Sequence, residues 1–236
     1  TRATLARVRW NKLDLSEAEL SRADLQEADL QKADLSRAIL HETNLTRARL
    51  SGASLESASA CDADFSLADL RGARMRLLTL PRGVLRGADL TGADLTGAFL
   101  FRAKLDGAIL IRARLGKAQL AGAHFDGADL TDADLSGVSA NNCVFRTARL
   151  DGAVFQDASL LLTDFEGVEL RTPNFRRARL AGACLTDSVF LEADLSGASL
   201  EEAGLAGISW VGANLRGADF THASFHMGSS RSGLVD

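Results

Sequence analysis

A large apolar residue recurs at every fifth position of this chain, without one insertion or deletion. From Leu5 to Phe225 this register gives 45 consecutive positions, of which 31 are Leu and 9 are Phe. Two residues before each of these positions, Ala fills 33 of the 45 slots. Two residues after them Gly is favoured, and 16 of the 21 glycines lie there. Internal repeats therefore fill residues 3–225, and this decides the fold class.

The period of five excludes the common regular structures. An α-helix repeats near 3.6 residues and a strand repeats every 2, while a coiled coil repeats every 3.5. A period of five instead predicts a bend in every repeat, with the small and large apolar residues pointing inward and Gly at the turn. Four bends close a square coil of about 20 residues, and stacked coils form a β-solenoid. A helical array is the weaker alternative, because it would spread these residues around its surface.

The repeat resembles the pentapeptide-repeat family, whose pattern is Ala-(Asp/Asn)-Leu-x-x. Residues 88–97, Ala-Asp-Leu-Thr-Gly-Ala-Asp-Leu-Thr-Gly, match it closely, and the resemblance covers residues 3–225. It implies an all-β fold, a right-handed quadrilateral parallel β-helix of about 11 four-repeat coils, roughly 53 Å long at about 4.8 Å per coil. We expect one domain over 1–225 and a flexible tail over 226–236, for which a cloning remnant is an alternative interpretation.

Residues twenty apart should stack if four repeats make a coil. Phe125, Phe145 and Phe165 would then form a ladder of rings in successive coils. The segment 76–85 keeps the register but has Leu78 in an Ala slot and a proline at 81, so we expect a local distortion or bend there. Pro173 is a second irregularity.

The two ends of a solenoid expose core residues and unpaired strand edges, which proteins usually cover. No capping helix is evident in the sequence, so a partner, a second copy or preceding sequence would supply the cover. The residues expected to make an end-to-end contact at the C-terminal end are Trp210, Val211, Phe220, Phe225 and Met227.

One outward face is distinguished by an uncharged, partly apolar strip. When the residues are sorted by the 20-residue coil, positive and negative charges interleave on all four faces, and no face forms the basic stripe that nucleic acid requires. The face centred on Leu20 carries no charge between residues 103 and 178. An exposed apolar strip of this kind predicts contact with another protein. Its members are Phe99, Phe101, Ala121, Asn141, Leu161, Leu162 and Ala181.

Catalytic and metal-binding patterns are not apparent in the sequence. His124 and Asp126 share a face but have no suitably placed Ser or Cys nucleophile. Cys143 occupies an inward slot, and Cys61 and Cys184 fall on different faces, so no pair has the spacing of a zinc site. The sequence thus predicts a protein that is not an enzyme and needs no cofactor.

Three functions remain open from the sequence. The first is a protein-binding or scaffolding rod whose partner is another protein or a second copy. The second, implied by the resemblance, is a DNA mimic that binds DNA gyrase, although a net charge of -4 with 27 Lys+Arg is less acidic than such a mimic requires. The third is a structural segment of a larger secreted or secretion-associated protein, which the start at Thr1 favours. No apolar run is long enough for a membrane span, and three Cys favour a reducing, cytoplasmic location, with a secreted effector as the alternative.

Overall fold

The chain winds into a helix-free solenoid in which each coil takes four repeats. A computed structural model describes residues 3–226, and no α-helix occurs within them. Parallel bridges join residues twenty apart on every face, as in the column that runs from Thr4 through Asp24 and onward to Ser224. Two segments are regular strands, β1 (Glu169–Arg171) and β2 (Val189–Leu191), which pair in parallel with Leu170 opposite Phe190.

A single repeat shows how five residues satisfy all of their own backbone hydrogen-bond donors. In the repeat at 24–28, the amides of Asp24, Leu25 and Glu27 donate to carbonyls of the neighbouring coils, at 2.8, 2.8 and 3.0 Å. The amide of Ala28 closes the turn on the Leu25 carbonyl at 3.0 Å. The remaining amide, of Gln26, donates to the Asp24 side chain at 3.2 Å. All five backbone donors are satisfied, and the preference for Asp or Asn before Leu follows from the last bond.

The corner of every repeat lies in left-handed backbone space. Each residue two positions after the large apolar one has a positive φ, from Arg7 at 60° to His222 at 58°, and 16 of these residues are Gly. The glycine preference therefore has the conformational origin that the sequence suggested. Many non-glycine residues accept the same strained geometry, because the stacked coils hold each corner in place.

The core is a continuous column of Leu, Phe and Ala. Side chains such as Leu25, Leu130 and Phe145 are fully buried. The predicted ring ladder is confirmed: Phe125 and Phe145 stack at 4.8 Å between centroids, and Phe145 and Phe165 stack at 5.0 Å. A second ladder from the opposite face, Phe155 over Phe175 at 4.8 Å, meets the first edge to face in the core.

The backbone bridges between coils continue without interruption through the segment around Pro81, where the sequence suggested a distortion. Thr79 bridges both Ser59 and Phe99, and the Pro81 carbonyl accepts from the Asp62 amide at 3.1 Å. Proline is tolerated because it occupies the one slot whose amide takes no part in the inter-coil ladder. Pro173, two residues after β1, is different, since it fills an inward slot and lacks the amide that closes the turn in other repeats.

Candidate functional site

The predicted strip forms one continuous face across five stacked coils. Large apolar side chains are exposed toward both ends of the strip. Phe99 is 42% exposed, Phe101 is 36% exposed and Leu162 is 62% exposed. The middle is low and polar, with Asn141 half-buried and Asn142 exposed. Leu161, Ala121 and Ala181 are half-buried beside them. The structure thus brings all seven predicted strip residues onto one face.

Two aromatic rings form the N-terminal end of the strip. Phe99 and Phe101 lie 6.4 Å apart between centroids with an interplanar angle of 26°. The Arg102 guanidinium carbon lies 5.1 Å from the centre of the Phe101 ring, which is within cation–π range. These contacts hold the two exposed rings as one apolar ridge.

Asn141 is fixed at the centre of the strip by the next coil. Its Oδ1 accepts from the Ser159 hydroxyl at 2.8 Å and from the Leu161 amide at 3.0 Å. The side-chain NH₂ group has no hydrogen-bond partner among residues 3–226, so it is free to donate to a bound molecule. The strip therefore has an oriented polar donor at its middle.

A shallow groove of about 320 Å³ lies at the C-terminal end of the strip. Leucine side chains form one wall, small residues the floor and carboxylates the far rim. The lining residues are Leu161, Leu162, Ala181, Gly182, Glu201 and Glu202. An apolar groove with an acidic rim can accept an apolar side chain that has a cation beside it.

Some charges at the margins of the strip have no ion-pair partner. Many Arg and acidic residues of the rod pair between adjacent coils, as Arg177 does with Asp157 at 2.7 Å, and two such pairs, Arg22 with Glu42 and Arg82 with Asp62, lie on the strip face before Phe99. On the strip face, four charges at its margins carry no ion pair within the described part of the chain. They are Arg102, Arg179, Glu201 and Glu202. Unpaired charge at the edge of an apolar strip is typical of a polar interface rim.

The C-terminal end exposes part of the core, as the sequence suggested. Trp210 and Phe220 are half-buried, and Val211 and Phe225 are 62% and 53% exposed. The rings of Trp210 and Phe220 contact edge to face at 6.1 Å between centroids. Met227, the fifth residue expected to make an end-to-end contact, lies outside the described residues. Within residues 3–226 nothing covers this end of the solenoid.

A cluster of potential metal ligands lies on the face centred on Leu5, where the sequence predicted none. Ligand atoms of Asp106, His124 and Asp126 lie within 4.8 Å of one another. Burial, and next the neighbouring Asp106, raise the pKa of the Asp126 carboxyl. Asp106 pairs with Arg86 at 3.0 Å. Exposed acidic groups commonly approach each other in this way, and we assign no metal site to the cluster. The sequence signal for this cluster is the spacing of twenty residues between Asp106 and Asp126, which places them in adjacent coils.

Two of the three cysteines, Cys61 and Cys143, are held as protonated thiols. Burial raises the pKa of the Cys143 thiol to about 12, and this thiol donates to the Leu120 carbonyl at 3.1 Å. Cys61 is half-exposed between the Asp62 carboxylate and the Arg82 guanidinium, and burial raises its pKa as well. Both thiols are therefore protonated near neutral pH, the unreactive form.

The strip as read from the sequence left out four residues that complete the face. Arg179, Gly182, Glu201 and Glu202 belong to the same stacked columns as the predicted residues. The uncharged stretch ends at residue 178, so a search for uncharged positions stops one coil too early. Extending the columns in steps of twenty residues would have found them.

Comparison with known proteins identifies the repeat. The family model for pentapeptide repeats matches in eight copies, over residues 1–37, 38–76, 79–107, 100–137, 108–146, 128–167, 174–207 and 199–228. No curated protein matches the chain. The part of the chain that the structure describes contains no helix able to cross a bilayer.

Several solved structures of repeat proteins are similar. HetL, involved in heterocyst differentiation regulation in the cyanobacterium Nostoc sp. strain PCC 7120, is 32% identical; the match covers 83% of this chain and 90% of HetL, with a TM-score of 0.42. A protein of the Arabidopsis thaliana thylakoid lumen is 34% identical over 44% of this chain and 68% of its own, with a TM-score of 0.35. Full-length QnrB1, a plasmid-mediated fluoroquinolone resistance protein, is 21% identical over 80% and 84% of the two chains, with a TM-score of 0.34. The chain belongs to the pentapeptide-repeat family, whose members fold as right-handed β-helices.

Proposed function

We propose that the strip face is a docking surface and that this chain is a non-enzymatic protein-binding rod of about 11 coils. The observation that carries the proposal is the make-up of the strip itself. Its face carries no charge between residues 103 and 178, and it exposes an aromatic ridge, a polar centre and an apolar groove. Exposed apolar surface bordered by polar groups marks interaction sites in soluble proteins.

The regular bonding between coils supports this role. Every corner from Arg7 to His222 has the same left-handed conformation, and bridges between coils run along every face. Binding to a pre-ordered surface loses little conformational entropy. A rigid rod also holds its binding residues at fixed spacings, as a scaffold requires.

The test compares the wild type with two double variants in a capture experiment. Phe101→Asp with Leu161→Asp places two charges on the strip, and Ile109→Asp with Ile111→Asp places two charges on the opposite face. Ile109 is 38% exposed, which matches the 36% exposure of Phe101. We expect a protein identified by mass spectrometry to be retained by the wild type and the opposite-face variant and lost by the strip variant. Retention by both variants would overturn the proposal.

The same experiment bears on the other hypotheses. If DNA gyrase is the captured protein, a supercoiling assay with purified gyrase shows whether the chain inhibits it, as a DNA mimic should. If capture depends on Trp210 and Phe225 rather than on Phe101, the end-to-end contact is the relevant surface. If no protein is captured by any form, the role as a structural segment becomes the leading hypothesis.

A further inference from the structure

The docking face is complementary to itself. We propose that two copies of the chain pair side by side and antiparallel through this face, about a two-fold axis that passes over Asn141. This inference rests on the proposed function, because it names a second copy as the occupant of the same face. It follows from the order of large, small and charged residues along the stacked columns.

A two-fold axis lying in the contact plane, perpendicular to the rod, reverses the order of the coils and keeps each column facing its own copy. In the column of Asn141, a residue one coil before the axis then meets the residue one coil after the axis in the second copy. The same holds for residues two coils from the axis. Leu161 therefore faces Ala121 of the second copy, and Phe101 faces Ala181 of the second copy. Asn141 faces itself.

The neighbouring column shows the same alternation of size. Leu162, the most exposed leucine of the strip at 62%, faces Gly122 of the second copy. Arg102 faces Gly182 of the second copy. Within two coils of the axis, each Leu, Phe and Arg of these two columns is thus opposite Ala or Gly, which is the arrangement that lets two surfaces interdigitate at close range. The groove beside Gly182 lies where the Phe101 ring of the second copy arrives.

Charges follow the same symmetry. Three coils from the axis, Arg82, which also donates to Asp62 of its own chain at 2.8 Å, faces Glu202 of the second copy, and the Glu201 carboxylate lies beside the same position. In the remaining column, Arg179 faces the ring of Phe99 in the second copy, a cation–π arrangement. Four coils from the axis, Asp62 faces His222 of the second copy. None of the facing pairs over these coils brings two like charges together, so charge complementarity also favours the second copy as occupant.

The contact is small, so the pairing should be weak and reversible. Seven coils at about 4.8 Å, and a face about four residues wide, give an area on the order of 400 Å² per copy. That is below the size of stable interfaces and matches transient ones. We therefore expect dissociation in the micromolar range or above, and a dimer that forms only at high protein concentration.

Sedimentation velocity from about 5 µM to several hundred µM tests whether the dimer exists. We expect a reversible monomer–dimer equilibrium for the wild type. Phe101→Ala and Ala181→Phe should each weaken dimerisation about tenfold, and the double variant should recover it, because the large and small residues have exchanged places across the axis. A wild type that stays monomeric at every concentration, or a double variant weaker than both single variants, would overturn the pairing.

Disulfide cross-linking tests where the axis lies. In a background of Cys61→Ser, Cys143→Ala and Cys184→Ser, a single Asn141→Cys faces its own copy and should oxidise to a covalent dimer. Ala121→Cys, in the same column, should not, and the pair Ala121→Cys with Leu161→Cys should. Equal cross-linking of Asn141→Cys and Ala121→Cys would contradict the antiparallel arrangement. Thermal melts of each variant exclude loss of the fold.

The two proposals fail in different ways. If the wild type stays monomeric while the strip variant still loses a captured partner, self-pairing is wrong and the docking function stands. If the wild type stays monomeric and the strip variant keeps every captured protein, both are wrong.

Discussion

The Asp134 carboxylate accepts a hydrogen bond from the backbone amide of Ser136 at 2.9 Å. The Ser136 amide makes no hydrogen bond to the backbone of a neighbouring coil. We expect Asp134→Ala to lower the free energy of unfolding by about 1 kcal/mol, since an Asx-type bond is lost at a repeated corner. Asp134→Asn, which keeps the acceptor, should lose much less. Urea unfolding of the two variants measures the difference, and equal losses would contradict this role.

Stability should fall in acid for the same reason. Hydrogen bonds from the Thr221 side chain and amide lower the pKa of Asp219, and those from Ser196 lower the pKa of Asp194. Because the folded-state pKa lies below the unfolded one, this stabilisation is complete above the unfolded pKa and is lost as pH falls through the folded value. We expect the Tm to be constant from pH 7 to about 5 and to fall below about pH 4. A Tm that rises on acidification would contradict this assignment.

The inward and outward slots predict opposite tolerances to charge. Leu130 is fully buried, so Leu130→Asp should destabilise the middle coils by several kcal/mol, on the order of 4 or more, since an unpaired charge is buried. Leu161 lies on the outer face, and Leu161→Asp should leave the fold intact. Thermal melts followed by circular dichroism compare the two variants directly. Equal melting temperatures would refute the assignment.

Gly83 occupies an inward slot that is usually Ala, yet alanine should be harmful there. A Cβ added there would approach the Cγ and Cδ1 atoms of the buried Leu80 to 2.3 Å, so Leu80 would have to change its rotamer. We expect Gly83→Ala to cost about 1–3 kcal/mol. Gly204→Ala is the matched control, because its nearest neighbour is the Thr186 hydroxyl at 3.7 Å and its φ is not in the left-handed region. If Gly83→Ala is as stable as Gly204→Ala, the close contact is absent in solution.

Much of this fold could be predicted from the sequence because each repeat is a local unit. The period of five placed Leu130 and Phe145 inside and Phe101 outside, and the glycines marked the corners. The backbone bridges continue through Pro81, which the sequence alone does not predict because it does not show which amide makes no hydrogen bond between coils. The pairing of Asp134 with Ser136 is local, yet it became visible only once that free amide was located.

The candidate site was harder to predict than the fold. Its apolar members stand out as interruptions of a polar surface, whereas Arg179 and Glu202 look like ordinary surface charges. What distinguishes them is their place at the edge of the strip, where Glu202 lines the groove, and the groove depends on side-chain geometry. The close approach of Asp106, His124 and Asp126 likewise depends on how their coils stack.

The most direct test of the docking face is an affinity measurement with the captured partner in purified form. Isothermal titration with the wild type, the Phe101→Asp, Leu161→Asp variant and the Ile109→Asp, Ile111→Asp variant compares two opposite faces of one rod. We predict at least a tenfold weaker affinity for the strip variant alone, since it buries two charges in the interface. Equal affinities for all three proteins, or a loss confined to the opposite-face variant, would contradict the account.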